Sequence, residues 1–379
     1  MKLNTEAFTL AAALDIANSL PTGKSQTLAH LTADNGALSI TCTNGSVSIE
    51  AAIPVNVVEA GEVTVPADRI TALIGSFTTD TAVWIAVKSG AVHVIGGGGN
   101  YQLPIATAPI PLMITGTVST PIEITGKDAL RLFEVVEAAE DEKVRPYLAG
   151  VHLDTDHDGW LTSVATNGAL LILATAKTAV KITGTTIPTS GVEIATKLIK
   201  ATKAVKVSLR RSDRLLEITG EAFRFTTRLI ETKYPDWRRV LPSSSENMAV
   251  IARNDLVDAL TRLAAIVDPA SKVPPLVVLT WSEGSKVEVS LLRAGIGSSR
   301  IITKEMHGEV KVALSLKSLL TLADQFNMKD IMLEAAPDIG VMIHDNRLEH
   351  EPSGFRLSDA KFGMLSFTRW NFEEQEAAA

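Results

Sequence analysis

The residues of this chain whose types and spacing could do chemistry are few, and each set stops short of what its chemistry requires. Asp154, Asp156 and Asp158 before Gly159 spell DxDxDG, the opening of a calcium loop. Such a loop needs a bidentate acid at its twelfth position, where Ala165 stands, so the stretch reads as a hairpin turn. Gly96–Gly99 suggests a phosphate cradle, but Asn100-Tyr101-Gln102-Leu103-Pro104 follows where a helix is required, and no Lys-Ser/Thr pair closes it. A wide hairpin turn is expected there. The seven histidines show no HxxxH or HExxH spacing, His344 and His350 read as surface residues, and Cys42 has no acid or base beside it. No GxSxG or Walker pattern occurs. A metal-dependent hydrolase built on Asp154, Asp156 and His157 is the one enzymatic alternative; otherwise no catalytic residue, metal or cofactor is expected.

The pattern that does stand out is electrostatic. Lys197, Lys200, Lys203 and Lys206 recur every three residues in a helical stretch, and no acidic residue occurs between Glu193 and Ser212. Steps of three drift by about 60° each, spreading the lysines over about half of the helix surface. The whole chain has Lys+Arg 36 against Asp+Glu 43, a net charge of −7, so binding to a polyanion must be local. An unpaired basic stripe suits phosphate contacts, the alternative being an ordinary solvated face. Aromatic residues at 5% argue against a base-stacking platform for single strands or RNA.

These residues must be positioned by a chain of 379 residues, enough for two to four domains at roughly 100–200 residues each. Hydrophobic residues make up 46%, which excludes a disordered or fibrous protein. One cysteine cannot form an intrachain disulfide, and Asn4, Thr5 and Glu6 interrupt any apolar leader. No run approaches the ~18 apolar residues of a membrane span. A soluble cytoplasmic protein is expected.

Short Val/Ile/Thr-rich runs, among them Ala37–Cys42, Ala82–Val87, Ala91–Ile95, Trp160–Val164 and Val310–Leu314, predict antiparallel strands. A helix is predicted over about 5–20 with Thr5 as cap, and a shorter one over about 67–77 with Pro66 at its first turn. The pair recurs, a long helix near Gly126 with a short one near Ile194, then a long one from Arg253 with a short one from Ser315. Spacings of about 120–130 residues imply three copies of one α+β module, covering 1–118, 119–244 and 245–379. Linkers are expected at Thr117–Pro121 and Pro242–Asn247.

Two stretches then carry a family resemblance: Arg145-Pro146-Tyr147-Leu148-Ala149-Gly150 with Val164-Ala165-Thr166-Asn167-Gly168, and Phe225–Ile230 running into Tyr234-Pro235-Asp236-Trp237-Arg238-Arg239-Val240-Leu241-Pro242. The chain resembles the bacterial DNA polymerase III β subunit, the sliding clamp. That resemblance implies three repeated clamp domains per chain, with antiparallel sheets outside and helices lining a central pore, in a homodimeric ring around duplex DNA. The implied partners are the polymerase III catalytic subunit, the clamp loader and other proteins with a clamp-binding motif; no membrane is involved. A diverged paralogue with altered partners is the alternative within the same family.

The resemblance implies DNA contacts at Lys24 and Tyr147, and Arg69 beside Asp68 and the stripe lysines Lys197, Lys200 and Lys203 are expected to join them. Asp68 occupies a position usually basic, Pro146 replaces an aromatic residue and Glu142 a polar contact. A partner-peptide cleft would be walled by Leu148, Thr166, Gly168, Leu171, Pro235, Arg239, Val240 and Phe367. Ala169 and Leu170 replace the family's His and Arg, and the chain ends Phe367-Thr368-Arg369-Trp370-Asn371-Phe372 before an acidic tail. Ile266 and Val267 match an apolar dimer-interface position.

Overall fold

The computed structural model describes residues 1–20, 27–107, 118–155, 159–182, 184–241, 245–271, 273–282, 284–292, 297–336, 340–344, 350–351, 354–355 and 361–366. The chain divides into two compact units. The first comprises Met1–Leu130, Thr178–Val180 and Thr185–Glu231, and the second comprises Arg131–Lys177, Lys181–Gly184 and Thr232–Ala379.

Six α-helices are present among the described residues: α1 (Ala7–Ala17), α2 (Ala67–Gly75), α3 (Gly126–Phe133), α4 (Thr189–Thr202), α5 (Arg253–Ala265) and α6 (Leu316–Asp324). Each follows directly on a strand, and most start in the same way. The first helical N–H donates to a distant loop carbonyl: Ala7 to Thr81 (2.9 Å), Ala67 to Thr27 (2.9 Å), Gly126 to Val205 (2.8 Å), Arg253 to Lys329 (2.9 Å) and Leu316 to Pro275 (3.1 Å). A main-chain acceptor therefore satisfies one of the orphan donors at each of these helix starts. The expected Thr5 cap of α1 is not found. Thr5 lies in the strand Lys2–Glu6, Glu6 takes the cap position without a side-chain bond, and Pro66 likewise precedes α2 rather than opening it. Ser315 is different, because its hydroxyl accepts from the Ser318 N–H at 3.3 Å.

The second repeat departs from the expected long-then-short pair. Its helix from Gly126 ends at Phe133 and passes into a 3₁₀ turn, Glu134–Ala138, where buried Val135 and its β-branched neighbour Val136 replace good helix formers. α4, expected to be short, is the longest of the six helices at 14 residues, and starts at Thr189 rather than near Ile194.

The strand pairs with described register are antiparallel. In the first unit one sheet runs in the order Asn56–Glu59, Lys2–Glu6, Ala82–Lys88, Ala91–Gly96, Gly99–Pro104. The expected wide turn at Gly96–Gly99 is a tight hairpin in which Gly96 pairs with Gly99 and only Gly97 and Gly98 turn. The second sheet runs Ile122–Thr125, Lys206–Arg211, Leu215–Thr219, Arg224–Arg228, Val47–Pro54, Ala37–Thr43, Leu28–Asp34, Gly61–Pro66. It is continuous across a seam where Phe225 faces Ile49 in register. Both are fully buried, and a charge ladder crosses the same seam. Ser39 donates to Glu50 (2.7 Å), Arg224 pairs with Glu50 (2.9 Å) and reaches Glu217 (3.6 Å), and Arg210 donates to Glu217 (2.9 Å). Glu217 is 4% exposed, so its two arginines supply the compensation that a buried carboxylate requires.

In the second unit the sheet order is Gly150–Thr155, Trp160–Thr166, Leu170–Lys177, Lys361–Ser366, Gly340–His344, Asp330–Ala336, Met248–Ala252, Ser298–His307, Lys286–Leu291, Leu276–Trp281, Val310–Ser315. Leu171 pairs with Met364, and Met364 with Met342. The expected surface position of His344 is not found. Its ring is 1% exposed and its Nε2 lies 3.1 Å from Glu334, whose other carboxylate oxygen accepts the Ser245 N–H. Ser245 also donates to the Ala335 carbonyl at 2.6 Å, so the described end of the second expected linker is fastened to the sheet. The side chain of His350 lies outside the described residues.

Candidate functional site: an apolar cleft and a lysine-bearing helix

The cleft lies wholly within the second unit. It has a volume of about 560 Å³. Three segments form it. One is the 3₁₀ turn Pro146–Leu148, another the hairpin turn between strands Trp160–Thr166 and Leu170–Lys177, and the third the stretch Tyr234–Leu241 with its 3₁₀ turn Trp237–Val240. Met364 adds a side chain from the strand Lys361–Ser366. Proline at 146 starts the first turn with its φ already near the helical value.

The expected wall residues Leu148, Thr166, Gly168, Leu171, Pro235, Arg239 and Val240 all line this one cavity. They differ in depth. Leu148 (4% exposed) and Leu171 (2%) belong to a core cluster with Val164, Leu173, Tyr234, Trp237, Met342 and Met364, whereas Val240 is 49% exposed at the rim. Phe367 lies outside the described residues. Leu170 is buried and pairs in the ladder, so of the two residues replacing the family's His and Arg only Ala169 is exposed. Tyr147, expected as a DNA contact, is half-buried in the cleft wall, packed on the core cluster.

Polar groups hold the walls in shape. The Arg145 Nε donates to Glu140 at 2.7 Å, and its guanidinium also reaches the Asn167 carbonyl. Thr166 Oγ1 donates to the Leu170 carbonyl (2.7 Å) and accepts from the Gly168 N–H (3.0 Å). Gly168 has φ +85°, and a Cβ there would stand 2.6 Å from Arg145 Nη1. Gly168→Ala should therefore cost about 1–2 kcal/mol of stability for the left-handed backbone, with more for displacing Arg145. Urea unfolding measures the loss, and adding Arg145→Ala should recover only the steric part.

Tyr234 stacks on His152 with ring centroids 4.5 Å apart and an interplanar angle of 9°. Burial pushes the Tyr234 hydroxyl well above the usual phenol range, partly opposed by the nearby Thr166 backbone, so it keeps its proton in any physiological medium. Arg238 lies 4.4 Å over the Trp237 ring and donates to Asp154 at 3.0 Å. Asp154 also accepts from the Thr155 N–H (2.9 Å), so each of its oxygens takes one hydrogen bond; Asp156, His157 and Asp158 lie outside the described residues. Among the described residues no group of three or more His, Cys, Asp or Glu side chains converges. Cys42 is buried, which raises its thiol to about 12 and leaves it unreactive.

Sequence reasoning missed Tyr234, Trp237, Arg145, Leu241 and Met364 as cleft residues. Met364 was detectable only through the period-two alternation of its strand. Tyr234 and Trp237 stood in the quoted motif, but nothing in their spacing distinguishes lining from core.

The lysines belong to the first unit. Lys197 and Lys200 are exposed on α4, while the inward residues Val192, Ile194, Ala195, Leu198 and Ile199 are buried. The helix ends at Thr202, earlier than expected. Lys203 is its C-cap in left-handed backbone (φ 51°), and Lys206 opens the next strand, so two of the four lysines project from the helix end instead of its body. Glu221 accepts the N–H groups of Val205 and Lys206 (3.2 and 2.9 Å), chiefly the Lys206 amide bond holding its carboxyl below the usual range. Arg69 is exposed on α2 beside exposed Asp68; Lys24 lies outside the described residues. Ile266 caps α5 and is 48% exposed, and with Val267 it lines a second cavity, of about 300 Å³, together with Val273, Pro274 and Leu291.

Strand-to-helix modules repeated along one chain, joined through antiparallel sheets and bearing an apolar cleft, define the fold of a sliding clamp. The crystal structure of the DNA polymerase III β subunit from Pseudomonas aeruginosa superposes with a TM-score of 0.86 at 20% identity, over 98% of this chain and 100% of that one. A Bartonella birtlesii clamp bound to griselimycin gives a TM-score of 0.85 at 19% identity, with 98% and 100% coverage. In sequence, the Pseudomonas aeruginosa β sliding clamp is 29% identical over 214 residues, a stretch covering 55% of this chain and 58% of that relative's length. Residues 127–236 match the central domain of the DNA polymerase III β subunit. Both the fold and the central stretch of sequence are thus similar to those of bacterial β sliding clamps.

Proposed function

We propose that this chain is a processivity clamp: a non-catalytic protein that closes as a homodimeric ring around duplex DNA and tethers a replicative polymerase and other proteins through short peptides. The observation that carries this reading is the cleft, an apolar cavity whose walls include Leu148, Thr166, Leu171, Pro235 and Val240 and lie mostly within the stretch that matches the family's central domain. Three domains, 1–118, 119–244 and 245–379, provide half of the ring. The exposed lysines of α4 and Arg69 of α2 face phosphates without reading bases, as sliding requires. Ile266 and Val267 contribute to the contact with the second copy, where exposed Ile266 and half-buried Val267 gain by further burial.

Retention on closed circular duplex tests the reading. Protein placed on a nicked circle by a clamp loader should co-elute with the DNA in gel filtration and be lost when a restriction enzyme linearises the circle. Equal retention on linear DNA, or a monomer at micromolar concentration in light scattering, would sink it.

A further inference from the structure

One group in the cleft wall has no role in holding a purely hydrocarbon ligand. Trp237 lines the cavity, is 4% exposed, and its indole N–H is buried without a hydrogen-bond partner among the described residues. Of its clustered neighbours, Leu148, Val164, Leu171, Leu173, Met342 and Met364 offer no strong side-chain acceptor, and the one hydroxyl, that of Tyr234, does not bond to it and is itself buried without a partner among the described residues. The ring is held in place, because Arg238 covers it at 4.4 Å and is itself anchored by Asp154 at 3.0 Å. A buried donor left unpaired lowers stability, and phenylalanine would fill much of the same space without that cost. A charged acceptor would have to be stripped of water to reach so apolar a wall, which leaves an uncharged carbonyl.

We propose that Trp237 is a specificity-determining residue of the cleft: its N–H donates to an uncharged carbonyl oxygen that the partner peptide presents between its apolar anchors. The inference rests on the reading of the cleft as a peptide site. It makes an orphan donor the element that separates cognate peptides from equally apolar ones, since a site built to donate a hydrogen bond rejects ligands that cannot accept it.

The probes are acetylated heptapeptides with Leu and Phe anchors, compared with versions in which Asn, close in shape to Leu but carrying a carbonyl acceptor, replaces one Leu at a time. The protein is labelled with [¹⁵N]indole tryptophan, and the Trp237 resonance, one of five, is assigned by its loss in Trp237→Phe. One of the Asn peptides should shift this indole proton downfield and bind about tenfold more weakly to Trp237→Phe, while the all-Leu peptide binds both proteins alike. Trp237→Tyr serves for the assignment if the Phe variant misfolds. Binding that leaves the indole unmoved, or an equal loss for all peptides in the variant, overturns this inference while leaving the peptide site intact. Failure of every peptide to bind wild type overturns both.

Discussion

A Leu171→Asp chain should fail to hold its second unit together, whereas Val240→Asp should fold normally and lose its peptide partners. Both residues line the same cavity, but Leu171 is 2% exposed inside the core cluster and Val240 is 49% exposed at the rim. Removing the Leu171 side chain and leaving a carboxylate in its place should cost about 3–5 kcal/mol of folding free energy, lowering the melting temperature by roughly 10 °C or more. At position 240 solvent can hydrate the new charge, so stability should stay within about 0.5 kcal/mol of wild type. Peptide affinity should instead drop by about tenfold to a hundredfold, because an apolar anchor would meet a charge. Differential scanning calorimetry and isothermal titration separate the two effects. Wild-type peptide affinity in Val240→Asp would move the docking site elsewhere.

Reversing Lys197, Lys200 and Lys203 to Glu should have the largest effect on DNA. All three side chains are exposed and none is part of the core, so the fold should be unchanged by circular dichroism. If each lysine neutralises one phosphate, the slope of log affinity against log salt should flatten by about 0.9 per lysine, roughly 2.7 in total. The loss should be the same on any duplex sequence, since phosphate contacts carry no base information. Salt titrations on two unrelated circles measure both quantities. An unchanged slope would make these lysines a solvated face.

The parts of the fold legible in the sequence are those fixed by local pattern. Runs such as Ala37–Cys42 and Trp160–Val164 alternate or concentrate β-branched residues, and they form strands within a residue or two of the predicted limits. Helix starts at 253 and near 315 were visible for the same reason. What failed was decided by distant contacts. No spacing near Thr5 reveals that the Thr81 carbonyl receives the first N–H of α1, and nothing beside His344 reveals Glu334 across the hairpin. The lysine stripe was read as one helix because the turn at Lys203 needs left-handed backbone, which lysine does not advertise. In the cleft, the family resemblance located the walls, but it could not separate Leu171 as core from Val240 as rim. That distinction depends on Met342 and Met364, residues far along the chain that cover one and leave the other open.

The strand Lys361–Ser366 is flanked on both sides, by Leu170–Lys177 and by Gly340–His344. During synthesis this means that two sheet edges, one of them made nearly two hundred residues earlier, stay open until residue 366 has emerged. The first unit suffers no such delay, since its last strand, Arg224–Arg228, is made well before Lys361 and pairs with Val47–Pro54. The first unit can therefore close its sheets while the second still waits for Lys361–Ser366. The interval is one in which the apolar strand Leu170–Lys177 has an unpaired edge, and it is the period of greatest demand for a holding chaperone.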